Sequence, residues 1–375
     1  MSAPKVAIVC DWLLGTGGAE RVVLELHRMY PDAPIYTSQY DRSPNIWYGD
    51  KWFSDADVRT TWLQKLPRSL KKFMPALRAW TFSRLNLSGY DVVISCSGAE
   101  AKGVKTGPNT LHVNYCHAPT HYYWRRYDAY LKNPGFGRLD WLARFGLRTL
   151  VGPLRRWDKR AAQRPDVMCA NSTHIQEDIR KYYGRDSVVV HPPVDLERFK
   201  SRTPLPRHGF VTAGRQAPYK RFDLAVEACT QLNVPLIVIG NGPEHKRLEK
   251  LAGRSVTFLT NVSDEAIAEH FQSSLAFIFP SDTEDFGVTP VEAMAAGTPV
   301  IAYSQGGPRD YIVPGKTGEF FDKLTAQSLA DVIANFKPEK YKAEVLEVKA
   351  AEFSPIVFQK SIRTVIATAQ QSRTI

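Results

Sequence analysis

Apolar positions in this chain fall in short unbroken runs separated by longer amphipathic stretches. Val6-Ala7-Ile8-Val9-Cys10 reads as a buried strand, and Ala19 to Met29 carries helical spacing. Further strands are predicted at Pro34–Thr37, Asp91–Ser95, His112–Tyr115, Val167–Ala170 and Ser187–Val190. Runs that are apolar throughout, rather than alternating, point to a parallel sheet covered on both faces. The pattern breaks near residue 200, where Ser201 to His208 carries two prolines and no periodicity. It then restarts with strands at Phe210–Ala213, Leu236–Ile239, Val256–Leu259, Ala276–Phe279 and Pro299–Ala302, with helical stretches between them. The reading is α/β: two Rossmann-like domains in tandem, over residues 1–195 and 205–352. A helix is expected from Phe353 to Gln371. In such sheets ligands sit beyond the carboxyl ends of the strands, and a cleft between two domains is the default site.

Composition narrows the class. The chain has 375 residues, 43% hydrophobic and 23% charged, which excludes wholesale disorder, collagen-like repeats and coiled coil. Cys10, Cys96, Cys116, Cys169 and Cys229 lack CxxC spacing, so neither a zinc ribbon nor a disulfide framework is expected. A reducing cytoplasm fits that usage. No apolar run approaches the roughly 20 residues that span a bilayer, and the start of the chain lacks a signal-peptide core.

A formal charge of +11 suggests a polyanionic partner. The charge is uneven. Val58 to Tyr90 holds Arg59, Lys65, Arg68, Lys71, Lys72, Arg78 and Arg84 with no acidic residue. Arg125 to Arg164 holds eleven basic residues against Asp128, Asp140 and Asp158. Trp62, Trp80, Trp141, Phe145 and several leucines are interleaved with them. Basic and aromatic residues together on helices describe an interfacial membrane surface. The alternative is a core-facing stripe with a solvated basic face. No nucleic-acid-binding module accompanies these stretches.

Candidate chemistry concentrates in the second half. Gly214-Arg215-Gln216-Ala217-Pro218-Tyr219-Lys220 follows a strand, and its two cations can grip a diphosphate, Arg as a fork and Lys as a point charge. Pro280 to Met294 also follows a strand. Gly287 permits a tight turn, Thr289 is the predicted N-cap and Pro290 the first helical residue. The free N–H groups of that helix start would face an anion. Glu284 and Glu292, eight residues apart, suit the paired hydroxyls of a sugar and a ribose. Glu292 has a second reading, because Thr289-x-x-Glu292 also matches a capping box.

These motifs, in order, resemble retaining glycosyltransferase family 4, of GT-B fold. The resemblance rests on Arg215 with Lys220, Glu284-x7-Glu292, Phe286-Gly287 and Glu292-Ala-Met-Ala-Ala-Gly-Thr-Pro-Val300. Ser304-Gln-Gly-Gly-Pro308, Gly315-Lys-Thr-Gly318 and Gly17-Gly18-Ala19-Glu20 extend it over nearly the whole chain. It implies two Rossmann-like domains facing each other across a cleft, the last helix crossing back onto the first. It also implies transfer of a sugar from a nucleotide-sugar with retained configuration and no metal. Residue by residue, Arg215 and Lys220 would bind the diphosphate, Glu292 the ribose and Glu284 the sugar. The amides of Phe286, Gly287 and Val288 would support sugar and phosphate. Gly17 and Gly18 would admit the phosphate to the first helix, and the base would stack near Leu259–Val262.

His117 follows a strand in the first half, and many family members place a histidine there, beside the reacting sugar. His117-Ala-Pro119-Thr-His121-Tyr122-Tyr123-Trp124 resembles a His-x-Pro-x-Arg-Tyr-x-Trp pattern of mannosyltransferases that build surface and lipid-linked glycans; His121 stands where the pattern has arginine. The resemblance therefore implies His117 at the reaction centre and His121, Tyr122 and Trp124 on the acceptor. It favours GDP-mannose as donor, a membrane-bound lipid or glycan as acceptor, and peripheral association with the inner face of the cell membrane. The rivals are a GT-B enzyme using a UDP-sugar and a soluble acceptor, and a non-catalytic protein whose basic surface binds membrane or nucleic acid.

Overall fold

Parallel strands lined by apolar side chains build two separate sheets, seen here in a computed structural model that describes residues 4–43, 52–67, 74–135, 137–199 and 205–374. The chain divides into two units, Met1–His191 with Phe358–Ile375, and Pro192–Val357.

In the first unit the strands are β1 (Val6–Cys10), β2 (Ile35–Thr37), β3 (Val58–Thr60), β4 (Val92–Ser97), β5 (Leu111–Cys116), β6 (Val167–Ala170) and β7 (Val188–Val189). They lie in the order β3-β2-β1-β4-β5-β6-β7, all parallel. The helices are α1 (Gly18–Met29), α2 (Pro75–Arg84), α3 (Tyr127–Lys132), α4 (Asp140–Ala161) and α5 (Thr173–Tyr183). Successive strand residues face opposite sides, so each strand feeds two cores. Ile8, Ile94, Val113 and Tyr115 pack with Val22 and Leu26 of α1. Ala7, Val9 and Val93 pack with Phe82 of α2.

The second unit repeats the plan with β8 (Phe210–Ala213), β9 (Leu236–Ile239), β10 (Val256–Leu259), β11 (Ala276–Phe279), β12 (Val300–Tyr303) and β13 (Gly318–Phe321), in the order β10-β9-β8-β11-β12-β13. Its helices are α6 (Phe222–Leu232), α7 (His245–Leu251), α8 (Asp264–Gln272), α9 (Val288–Ala295), α10 (Ala326–Ala334) and α11 (Ala343–Ala351). Phe277 and Phe279 pack against Val291 and Met294 of α9 on one face. Ile278 and Val238 pack with Leu224 of α6 and Leu329 of α10 on the other. Side-chain caps begin several helices: Ser172 accepts from Ile175 N, Ser263 from Ala266 N and Thr325 from Ser328 N. The last helix, α12 (Pro355–Thr374), sets Phe358, Ile362, Val365 and Ile366 into the core of the first unit, beside α1. It starts at Pro355 rather than Phe353.

Two strands escaped the sequence pattern. β3 is a three-residue edge strand, Val58-Arg59-Thr60, whose central arginine turns to Asp57 and Tyr36. β13 starts on Gly318 and carries Glu319. The basic segments are also less uniformly helical than expected. Val58 to Tyr90 contains β3, a 3₁₀ turn at Trp62–Lys65 and α2, while Arg68, Lys71 and Lys72 lie outside the described residues. The two readings of their apolar residues divide by position: Leu63, Met74 and Phe82 are buried, whereas Trp62, Trp80, Trp141 and Phe145 are about half exposed or more. Among the described residues no helix is long and apolar enough to cross a membrane.

Candidate active site

The loop after β8 and the loop after β11 meet at the carboxyl ends of adjacent strands. Gly214 leaves β8 with φ of 136°, and Arg215 follows, exposed. No hydrogen bond or ion pair engages its guanidinium among the described residues. Gln216 anchors this loop from beneath: it is fully buried, with Nε2 donating to Gly240 O at 2.9 Å and Oε1 lying 2.7 Å from His245 Nδ1. A Cβ on Gly242 would sit 2.5 Å from the Gln216 carbonyl, so the loop after β9 closes tightly on it. Lys220 ends a 3₁₀ turn, and its ammonium meets Glu284 Oε2 at 2.6 Å. Both side chains are about one-sixth exposed. The cation also lies 5.1 Å from the centre of the Phe279 ring.

The Glu284 loop is braced from behind. Gly307 N donates to Glu284 O at 2.8 Å, and Tyr311 Oη donates to Phe286 O at 3.1 Å. Burial, then the charges of Glu284 and Asp310, holds the Tyr311 phenol well above its ordinary value, so it stays a neutral donor. Gly287 has φ of 85°, and a Cβ there would lie 2.9 Å from the Phe279 ring and the Tyr311 hydroxyl. Only glycine fits.

Here the expected helix start is corrected. Gly287, not Thr289, is the N-cap of α9, which begins at Val288 and has no side-chain cap. Gly287's left-handed backbone lets the chain turn into the helix two residues early. Thr289 is therefore helical, Pro290 is the third helical residue instead of the first, and the Thr289–Glu292 capping box is absent. Glu292, 8% exposed, sits five residues past the cap. Thus Lys220, Glu284 and the Phe286–Val288 turn come together around the α9 N-terminus. Leu259 ends the edge strand β10, beyond β9, and its carbonyl accepts from Gly240 N at 2.8 Å.

In the first unit, Gly17 is the N-cap of α1, and Glu20 reaches back to accept from its N–H at 3.1 Å. Gly17 and Gly18 are exposed. His117 follows β5, with its N–H donating to Ser97 O at 2.9 Å and its ring set edge-on to Tyr115. His121 is half-buried on the same loop. Tyr122 and Trp124, expected on the acceptor, turn their polar atoms inward. Tyr122 Oη donates to Glu100 Oε1 at 2.6 Å, and Trp124 Nε1 to Asp158 Oδ2 at 2.7 Å.

Those two carboxylates belong to a buried polar cluster that the sequence did not reveal. Arg78 pairs with Glu100 at 2.7 Å and Lys102 with Asp158 at 2.7 Å, all four at most 4% exposed. Burial works against the Lys102 charge, but Asp158, with smaller help from Cys116 and Asp11, outweighs it and holds the ammonium above its ordinary value. Asp11, after β1, accepts from the amides of Gly98, Ala99 and Ala101 at 2.8, 2.9 and 2.7 Å. Burial, then the Glu100 charge, pushes its carboxyl up to about 6. Arg78 and Asp158 lie in the two basic segments, yet both are buried. Among the described residues no cluster of three or more His, Cys, Asp or Glu is placed to hold a metal ion.

Residues 16–198 match the family model described as Glycosyltransferase Family 4, and residues 193–352 that described as Glycosyl transferases group 1. A D-inositol 3-phosphate glycosyltransferase of Streptomyces avermitilis is 30% identical over 205 residues, covering 46% of this chain and 44% of the relative. A GDP-mannose-dependent alpha-mannosyltransferase of Mycolicibacterium smegmatis is 31% identical over 178 residues, covering 44% and 47%. The chain spans about half the length of the curated relatives it matches. Among solved structures, Anabaena HepE in complex with UDP superposes with a TM-score of 0.68 at 18% identity, over 96% of this chain and 100% of that one. That likeness is one of fold.

Proposed function

The chain belongs to the family 4 glycosyltransferases, of GT-B fold, and from that premise we propose that it is a retaining hexosyltransferase moving mannose from GDP-mannose to a lipid-linked or membrane-associated glycan at the cytoplasmic face. The observation that carries the reading is the donor-side constellation: Arg215 exposed, Lys220 paired with Glu284, and both beside the bare N-terminus of α9 at Gly287. This is an anion site with a hydroxyl acceptor next to it.

In the proposed reaction Arg215 and Lys220 take the diphosphate and stabilise the charge that grows on it as the bond to the sugar C1 breaks. Lys220 and Arg215 supply positive charge that a metal could otherwise provide. Glu284 accepts from sugar hydroxyls, and Glu292 from the ribose. The acceptor hydroxyl forms its bond to C1 on the face the diphosphate vacates, which retains configuration. Its proton passes to an oxygen of the departing phosphate. His117 is assigned to the transferred sugar on its sequence motif. The preference for GDP-mannose rests on the His117 motif and on the mycobacterial relative.

The membrane part of the reading draws support from the exposed Trp141, Leu142 and Phe145, which share one face of α4 at helical spacing. On α2, Trp80 is exposed beneath Arg84, whose guanidinium lies 4.4 Å from the ring centre. Aromatic rings with adjacent cations suit an anionic interface.

A thermal-shift screen of GDP, UDP, ADP and dTDP tests the donor. Stabilisation by GDP above the others is expected, since a ligand that binds only the folded state raises its melting temperature. Preference for UDP would favour the rival reading of a UDP-sugar donor. No response to any of them would remove the donor site.

A further inference from the structure

The segment that carries His117 has no ladder of its own. Between Cys116, which ends β5, and Tyr127, which begins α3, its internal backbone bonds are turn bonds, such as Tyr123 N to Thr120 O at 2.9 Å and Arg126 N to His121 O at 3.1 Å. Its side chains reach instead into the buried cluster. Glu100 Oε1 accepts from Tyr122 Oη at 2.6 Å and Tyr123 Oη at 2.9 Å. Asp158 accepts from Thr120 Oγ1 at 3.0 Å and Trp124 Nε1 at 2.7 Å. Tyr122 Oη also accepts from Arg78 at 3.1 Å, so its hydroxyl is used both as donor and as acceptor.

The geometry points to Glu100 and Asp158 as positioning residues for the transfer reaction, acting through Thr120, Tyr122, Tyr123 and Trp124 to fix where the His117 segment sits. Stability alone accounts poorly for the arrangement. Buried ion pairs are often no better for stability than apolar packing of the same volume. What a buried carboxylate supplies is direction, because charge-assisted hydrogen bonds are short and strongly oriented. Four donors within five consecutive residues, shared between two carboxylates, define the course of a loop that no sheet or helix defines. Arg78 comes from α2 and Asp158 from α4, so the frame is held by the two helices that carry the exposed aromatic residues. A consequence reverses one expectation: Tyr122 and Trp124 shape the loop and do not bind the acceptor through their polar atoms. The catalytic side of this inference rests on the proposed function, which assigns His117 to the transferred sugar.

The test uses Thr120→Val and Tyr122→Phe, which remove one hydroxyl each and leave both ion pairs intact, with Thr120→Ser as the conservative rescue. Two readouts are taken on the full chain. One is amide hydrogen exchange of residues 117–126. The other is GDP-mannose consumption, with water as acceptor and with vesicles of the producing cell's own membrane lipids. Faster exchange confined to residues 117–126 is expected for Thr120→Val and Tyr122→Phe. A fall of about ten-fold in kcat for both hydrolysis and transfer, with KM for GDP-mannose unchanged, should accompany it, as displaced reacting groups cause. Thr120→Ser should restore both. A loss seen only as a higher KM for vesicles would make Tyr122 an acceptor ligand and overturn the inference. So would a lower melting temperature with unchanged kcat, which is a structural role alone. If the wild-type protein consumes no GDP-mannose or other nucleotide sugar, the proposed function fails, and the exchange arm still decides: unchanged exchange in Thr120→Val overturns the positioning role.

Discussion

Glu284→Ala separates binding from turnover more sharply than any other single change. Without ligand, Lys220 and Glu284 are 2.6 Å apart and mostly buried. At an effective dielectric of about 20 their gross attraction is about 6 kcal/mol. Desolvation and lost side-chain freedom offset most of it, leaving on the order of 1 kcal/mol. A diphosphate must compete with Glu284 for that ammonium. Removing the carboxylate therefore cannot weaken the grip on a bare nucleoside diphosphate. GDP affinity should stay the same or rise by up to about ten-fold, each ten-fold being about 1.4 kcal/mol. Turnover should move the other way, by a factor on the order of 10²–10³, because a positioned acceptor for the sugar hydroxyls is gone. Glu292→Ala is the comparison. Its side chain lies beyond the first turn of α9, five residues past the N-cap Gly287, so loss of a ribose contact should weaken GDP binding. Calorimetry with GDP and steady-state rates with GDP-mannose measure both. Ten-fold weaker GDP binding by Glu284→Ala, with turnover intact, would refute the assignment of Glu284 to the sugar.

Arg215→Ala should cost about 2–4 kcal/mol of transition-state stabilisation with the melting temperature unchanged, since the side chain is exposed; wild-type turnover in the variant contradicts the donor site. Trp141→Ser with Phe145→Ser should reduce sedimentation with anionic vesicles without loss of fold, the residues being 67% and 64% exposed, and added salt should weaken wild-type binding; equal binding to neutral and anionic vesicles speaks against the surface. Asp11 gives a pH signature. Its folded carboxyl is raised from 3.8 to about 6, so its contribution to stability is full below about pH 4 and is lost as pH rises through about 6. Asp11→Asn should flatten that part of the stability curve by an amount on the order of 3 kcal/mol; a curve parallel to wild type across pH 4–6 excludes it.

The position of the candidate donor loops was legible because their pattern is local. Arg215 to Lys220 and Glu284 to Glu292 each follow an apolar strand, and strand ends are where a parallel sheet exposes loops. One detail failed for a local reason as well. Thr289 carries the usual cap chemistry, but the φ of 85° at Gly287 starts the helix earlier, and backbone sign is not written in residue type alone. The polar cluster behind His117 could not be read at all. Lys102 and Asp158 lie 2.7 Å apart in space and far apart in the chain, and a lone charged residue is by default a surface residue. Burial of a charge becomes tolerable only once its partner is present, which is a tertiary fact. Arg78 was misread as surface charge for the same reason. β3 escaped because three residues with a central arginine carry no periodicity, and an edge strand needs little.

The central claim is that this chain transfers mannose from GDP-mannose with retention. Its most direct test is an NMR time course with ¹³C1-labelled GDP-mannose, wild-type protein and vesicles of the producing cell's own membrane lipids. The expected result is loss of the donor C1 signal and growth of an α-mannoside signal in the lipid fraction, absent with Arg215→Ala. A β-mannoside, or a donor left intact by wild-type protein while another nucleotide sugar is consumed, would contradict the account.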